Sequence, residues 1–166
     1  MEFGFDIHGV IDSKPKFFSE VTQLLSEDGH GVHILTGSPE TINLRKELNY
    51  YGVRYKKIFS ITDHLVKSGA EVTFDSKGKP HADEILWNKA KGFYSKENNL
   101  AFHVDDTLRY RDYFETPFAY FDLKNLVFYW TYKEIGIGEF MYLTPTNMKN
   151  IIIAIGESFN FNEEKL

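Results

Sequence analysis

The chain has 166 residues, 42% hydrophobic and 16% aromatic, with a formal net charge of −5. That length suits one domain, 1–166, and so many core-forming side chains exclude disorder. A net acidic chain lacks the clustered Lys and Arg that would track a phosphodiester backbone, which argues against nucleic acid as a bulk partner. Without cysteine there is no disulfide, no thiolate nucleophile and no zinc–thiolate site. No apolar run approaches ~20 residues and no signal-peptide pattern is present, so the expectation is a cytoplasmic protein without a membrane anchor.

The apolar run EFGF predicts a first strand, which meets Asp6, His8 and Gly9 at its end. Phe17, Phe18, Val21, Leu24 and Leu25 then recur at helical spacing, and Gly29 or Gly31 supplies the stop. Val32 to Leu35 reads as a buried strand, followed by Thr36 and Gly37, with Ser38-Pro39 expected to cap and open the next helix. A third strand around Ile58 and Phe59 leads to a helix from Thr62 or Asp63 to Gly69. Alternating strand and helix predicts an α/β fold, a three-layer sandwich around a mainly parallel, Rossmann-like sheet.

The stretch EVTFDSKGKPHADEIL breaks this rhythm, because apolar alternation flanks a turn cluster, and it predicts a small β-hairpin flap. A helix over WNKAKGFYSKENN, with Asn88 as its candidate cap, delivers the chain to a fourth strand, LAFHV, which ends at Asp105-Asp106. A loop with Arg109, Tyr110 and Arg111 precedes a fifth strand, FAYFDL. The arginines could reach a substrate or pair with surface carboxylates. The aromatic-rich extension 123–166 holds FYWTY, read as core or a dimer face, and a closing helix around TNMKNIIIAIGESF. His33 and His103 are expected in or beside the sheet, without metal-ligand spacing.

In a parallel sheet with right-handed crossovers, the carboxyl ends of the strands share one edge, and ligands bind in the crevice there. Asp6 and His8 follow the first strand, Thr36 and Ser38 the second, Asp105 and Asp106 the fourth, so these distant residues converge. Three nearby carboxylates repel unless a cation sits among them, and hard oxygen donors suit Mg²⁺. Mg²⁺ held by few carboxylates leaves positions for phosphate oxygens. A threonine hydroxyl and backbone N–H groups at a helix start can hold the same oxygens.

These residues resemble the haloacid dehalogenase-like superfamily, mostly Mg²⁺-dependent phosphatases. FDIHGVID resembles its Asp-x-Asp-Gly motif at all but one position, HILTGS its strand ending in Thr or Ser, and AFHVDD its strand ending in paired acids. The resemblance spans residues 2–122. It implies Asp6 as nucleophile and metal ligand, the backbone carbonyl of His8 as second ligand, and Asp105 with Asp106 completing the Mg²⁺ site. It implies Thr36, with Gly37 and Ser38, as the phosphate-contacting loop. The family lysine that neutralises nucleophile and phosphate is assigned first to Lys91, then Lys89, with Lys79 as a Lys-Pro alternative.

No large insertion follows the first motif, so a helical cap is not expected, and an open site suits a phosphorylated small molecule or macromolecule. The departure is His8, which stands where the phosphatases have an acid/base aspartate. Three readings follow: slower phosphatase chemistry with His8 as acid/base, a different phosphoryl or carbon chemistry, or a fold that binds metal and phosphate without turnover. A flavodoxin-like receiver is disfavoured, because its acid pair would follow the first strand rather than the fourth.

Overall fold

The computed structural model describes residues 1–122, 124, 127–132, 135–140 and 143–163, and among these nine strands and five α-helices are seen. The strands are β1 (Glu2–Phe5), β2 (Gly31–Thr36), β3 (Lys57–Ser60), β4 (Thr73–Phe74), β5 (Pro80–His81), β6 (Leu100–Asp105), β7 (Phe118–Asp122), β8 (Val127–Tyr132) and β9 (Ile135–Phe140). The helices are α1 (Pro15–Glu27), α2 (Ile42–Tyr51), α3 (Ile61–Lys67), α4 (Glu84–Glu97) and α5 (Pro145–Glu163). The main sheet runs β3-β2-β1-β6-β7-β8-β9. Its first five strands are parallel, and β8 and β9 extend it antiparallel beside β7. The predicted α/β architecture, a Rossmann-like parallel sheet between helical layers, is therefore present.

The period-two geometry of the strands divides the core in two, and a register shift between β1 and β6 after Leu100 puts that residue on the opposite face from Phe102. Phe3, Phe5, Ile34, Phe102 and Val104 pack with Phe18, Val21 and Leu25 of α1 and with Met148 and Ile152 of α5. Leu35, Phe59 and Leu100 join Ile61 and Leu65 of α3 and Ala90 of α4 in a second cluster. At ~25 cal/mol per Å² of apolar surface, such fully buried side chains supply the main driving force for the fold.

α2, α3 and α4 start at side-chain caps, those of α2 and α4 away from the expected residue. Thr41 accepts from Leu44 N at 3.2 Å and opens α2; Ser38-Pro39 instead belongs to the loop, where Ser38 N–H donates to Thr36 Oγ1 at 3.1 Å. Asp83 caps α4 through Leu86 N at 2.9 Å, so Asn88 lies buried inside the helix rather than at its start. Ser60 caps α3 by accepting from Asp63 N.

The predicted hairpin exists as β4 and β5, an antiparallel pair apart from the main sheet. The loop after the paired acids contains a short 3-10 helix, Leu108–Tyr113. FYWTY falls in β8, and the side chains of residues 128 and 130–132 lie outside the described residues, as does the core-or-dimer question they raise. No helix among the described residues is long and apolar enough to cross a membrane.

Candidate functional site

The register of the parallel strands sets the site. Phe5 lies opposite Ile34 on one side and Val104 on the other, so Asp6 emerges level with the ends of β2 and β6. Its N–H still donates to Val104 O at 2.9 Å, which fixes its backbone to the sheet. The chain then turns through extended His8 and left-handed Gly9, with φ +89°. A Cβ on Gly9 would stand 1.9 Å from Asp106 Oδ2, so both the turn and the approach of Asp106 require glycine. Gly9 N–H donates to Asp12 Oδ1 at 2.7 Å and closes the turn.

Asp6, Asp105 and Asp106 present carboxylate oxygens within 4.8 Å of one another. Lys91, 2% exposed in the middle of α4, reaches between two of them, with Nζ 2.8 Å from Asp6 Oδ1 and 2.6 Å from Asp105 Oδ2. The remaining contacts of Asp105 are Thr107 N–H at 2.9 Å and His103 Nε2 at 3.0 Å. His103 is fully buried in β6 and stacks on Phe114 at 5.0 Å. Burial holds its imidazole below the usual range against the pull of Asp105, so the neutral ring donates Nε2–H to the carboxylate. Asp106 is less enclosed and accepts from Thr107 Oγ1 at 3.2 Å.

Electrostatics sort these groups. Burial raises the Asp6 pKa to about 7, with Asp105 and Asp106 adding to the rise against the opposing pull of Lys91. Burial alone would lower Lys91, but Asp105 and Asp6 outweigh it and hold the ammonium above its ordinary value. Asp105 is held low despite burial, chiefly by Lys91 and then by His103, whereas burial and Asp105 push Asp106 up. With all three acids ionised, three carboxylates face one ammonium. The excess negative charge, the all-oxygen donors and their close spacing fit a hard divalent cation such as Mg²⁺, which Asp6 and Asp106 would hold with least disturbance, since Asp105 is already engaged by three donors.

A cleft of about 380 Å³ opens over this cluster, lined by Asp6, His8, Lys91 and Asp106, by Gly37 and Ser38 after β2, by Lys79 and Pro80 of the hairpin, and by Trp87, Thr107 and Tyr110. Asp6, His8, Gly37, Ser38, Lys91 and Asp106 are thus brought together as expected from the sequence. Asp105 lies just beneath, fully buried. Thr36 is also fully buried, its hydroxyl occupied by Ser38 N–H, and it shapes the loop without lining the cleft. Lys89 is exposed on α4 and does not line the cleft; Lys91 holds the bridging position. Arg109 and Arg111 pair with Glu84 and Asp112 at the surface.

Trp87, Thr107 and His103 carry parts of the site that the sequence reading did not assign. Trp87 precedes Lys91 by four residues and so shares its helix face, a spacing that was visible in the sequence. Comparison of the chain with protein-family models and with curated proteins returns no match.

Proposed function

We propose that the chain is a Mg²⁺-dependent phosphohydrolase of the haloacid dehalogenase-like kind, cleaving phosphomonoesters through an aspartyl-phosphate at Asp6. The observation that carries this reading is the buried bridge from Lys91 to Asp6 at 2.8 Å and Asp105 at 2.6 Å, beside Asp106 at the carboxyl edge of β1 and β6. A lysine so placed lowers the repulsion between an anionic nucleophile and an anionic substrate.

In this reading an Asp6 carboxylate oxygen attacks phosphorus in line while the bond from phosphorus to the leaving oxygen breaks. His8, exposed at the cleft, gives its proton to that oxygen. Water, giving a proton back to His8, then attacks the phosphorus, and the acyl-phosphate bond breaks to return the Asp6 carboxylate and orthophosphate. Gly37 and Ser38 contact the phosphate from the loop after β2. Mg²⁺, when bound by Asp6, Asp106 and the backbone of residue 8, supplies charge neutralisation for the phosphoryl oxygens. The substrate is a phosphorylated small molecule or the phosphate of a macromolecule, and the histidine at position 8 favours, as second reading, a fold that binds metal and phosphate without turnover.

Hydrolysis of a panel of phosphomonoesters, with Mg²⁺ and with chelator, separates the two. Chelator-sensitive release of phosphate that Asp6→Asn abolishes is the expected result. A silent wild type with a gain of activity in His8→Asp would assign the loss to position 8. Silence in both, with Mg²⁺ still bound, would sink the hydrolase and leave the binding fold.

A further inference from the structure

The wall of the cleft above the acids is aromatic. Trp87 lies one helical turn before Lys91, nearer the start of α4, and is half-buried where Lys91 is buried. Its indole N–H donates to Tyr110 Oη at 3.0 Å, and a Cβ on Gly37 would lie 2.8 Å from its Cζ2, so the ring is held between the 3-10 helix and the loop after β2. Tyr110 is itself engaged, with Lys91 Nζ 5.0 Å from its ring centroid. The indole has spent its single donor, and it offers the cleft only ring carbon.

We infer that Trp87 is a specificity-determining residue, and that the substrate is a small phosphomonoester whose leaving group carries a planar aromatic or heteroaromatic ring that stacks on it. This rests on the phosphohydrolase reading. A phosphoryl group seated over Asp6 and Lys91 puts its leaving group toward the mouth, against Trp87 and the prolyl ring of Pro80. A polyhydroxylated leaving group would find no donor on that indole, whereas a flat π-system gains from stacking without needing one. The cleft, about 380 Å³, sits at the small end of the ~300–1,000 Å³ usual for ligand sites, which suits a compact molecule.

The test uses matched pairs that share the class of scissile bond: adenosine 5′-monophosphate against ribose 5-phosphate, and benzyl phosphate against cyclohexylmethyl phosphate. The first pair asks for a ring carried on a sugar, the second for a ring next to the phosphate. The expected result is a kcat/KM at least about tenfold higher for the ring-bearing member of one pair, a preference within the pair that is retained in Trp87→Phe and lost in Trp87→Leu. Binding is read separately in the Asp6→Asn, Trp130→Phe variant, where Trp87 is the sole tryptophan: the ring-bearing compound should quench its fluorescence and the ringless partner should not. Equal kcat/KM within both pairs, without ring-dependent quenching, overturns the inference. If the wild type turns over none of the four, the hydrolase reading is decided by the wider panel and His8→Asp, and the quenching alone decides whether Trp87 recognises a ring: ring-dependent quenching supports the inference and its absence overturns it.

Discussion

Replacing Lys91 with methionine keeps much of the side chain's volume while deleting its charge, and so isolates what the ammonium does. Lys91 is 2% exposed, its partners Asp6 and Asp105 have side chains 8% and 0% exposed, and both contacts are short. Deleting one partner of such a pair leaves buried carboxylate uncompensated, a loss of about 3–5 kcal/mol. A domain of this size shifts by roughly 2–4 °C per kcal/mol, so the thermal midpoint should drop by roughly 6–20 °C. The measurement is thermal unfolding in chelator at pH 8, above the Asp6 pKa of about 7. Asp6→Asn should be close to neutral, because Lys91 keeps Asp105 and one costly buried charge is gone. The double variant should recover part of the Lys91→Met loss, giving a coupling that a double-mutant cycle reads directly. A Lys91→Met protein within about 1 kcal/mol of wild type, or a loss that Asp6→Asn leaves untouched, would refute the electrostatic account, since the magnitude rests on the burial of that pair.

Other consequences can be measured on the same protein. Asp6 binds its proton more tightly folded, at about 7, than unfolded, at about 3.9; its contribution to stability is therefore full below pH ~4 and is lost as pH rises toward 7. In chelator the thermal midpoint should fall from pH 5 to pH 7.5, and Asp6→Asn should flatten that slope; an unchanged slope in the variant would assign the dependence to other groups. Mg²⁺ at a hundredfold excess over its Kd should stabilise by about 2.7 kcal/mol, with the gain lost in Asp106→Asn, and a gain surviving there would move the cation elsewhere. Gly9→Ala places a Cβ on Asp106 Oδ2 at a left-handed backbone position, which should cost about 1–3 kcal/mol and weaken Mg²⁺ binding in titration calorimetry; wild-type affinity in that variant would show that Asp106 need not sit where it does.

Much of the site could be read from local pattern alone. Apolar runs ending in Asp6, Thr36 and Asp105-Asp106 mark strand ends, and parallel topology then forces those ends onto one edge. Helix boundaries were less legible. Ser38 and Thr41 both satisfy the chemistry of a cap, and the choice fell to Thr41 because Ser38 N–H bonds back to Thr36 while Thr62 Oγ1 donates to Gly37 O at 2.6 Å, fixing the loop. Likewise Asn88 and Asp83 are both capping residues, and Asp83 prevails because Leu86 and Trp87, before residue 88, already pack half-buried against the second core cluster.

The order of strands and helices, the acidic edge and the turn at Gly9 were therefore determined by the sequence itself, because each depends on side-chain periodicity or backbone sterics within a few residues. Which lysine enters the edge was not. Lys89 and Lys91 are two residues apart on one helix, about 200° around its axis, and nothing local says which of them turns inward. The packing of α4 against β6 and against the 3-10 helix buries Lys91, stacks it over Tyr110 and exposes Lys89. The bond from Trp87 to Tyr110 and the support of Asp105 by His103 are settled in the same way. They join separate elements, and only the assembled tertiary structure sets the distance between them.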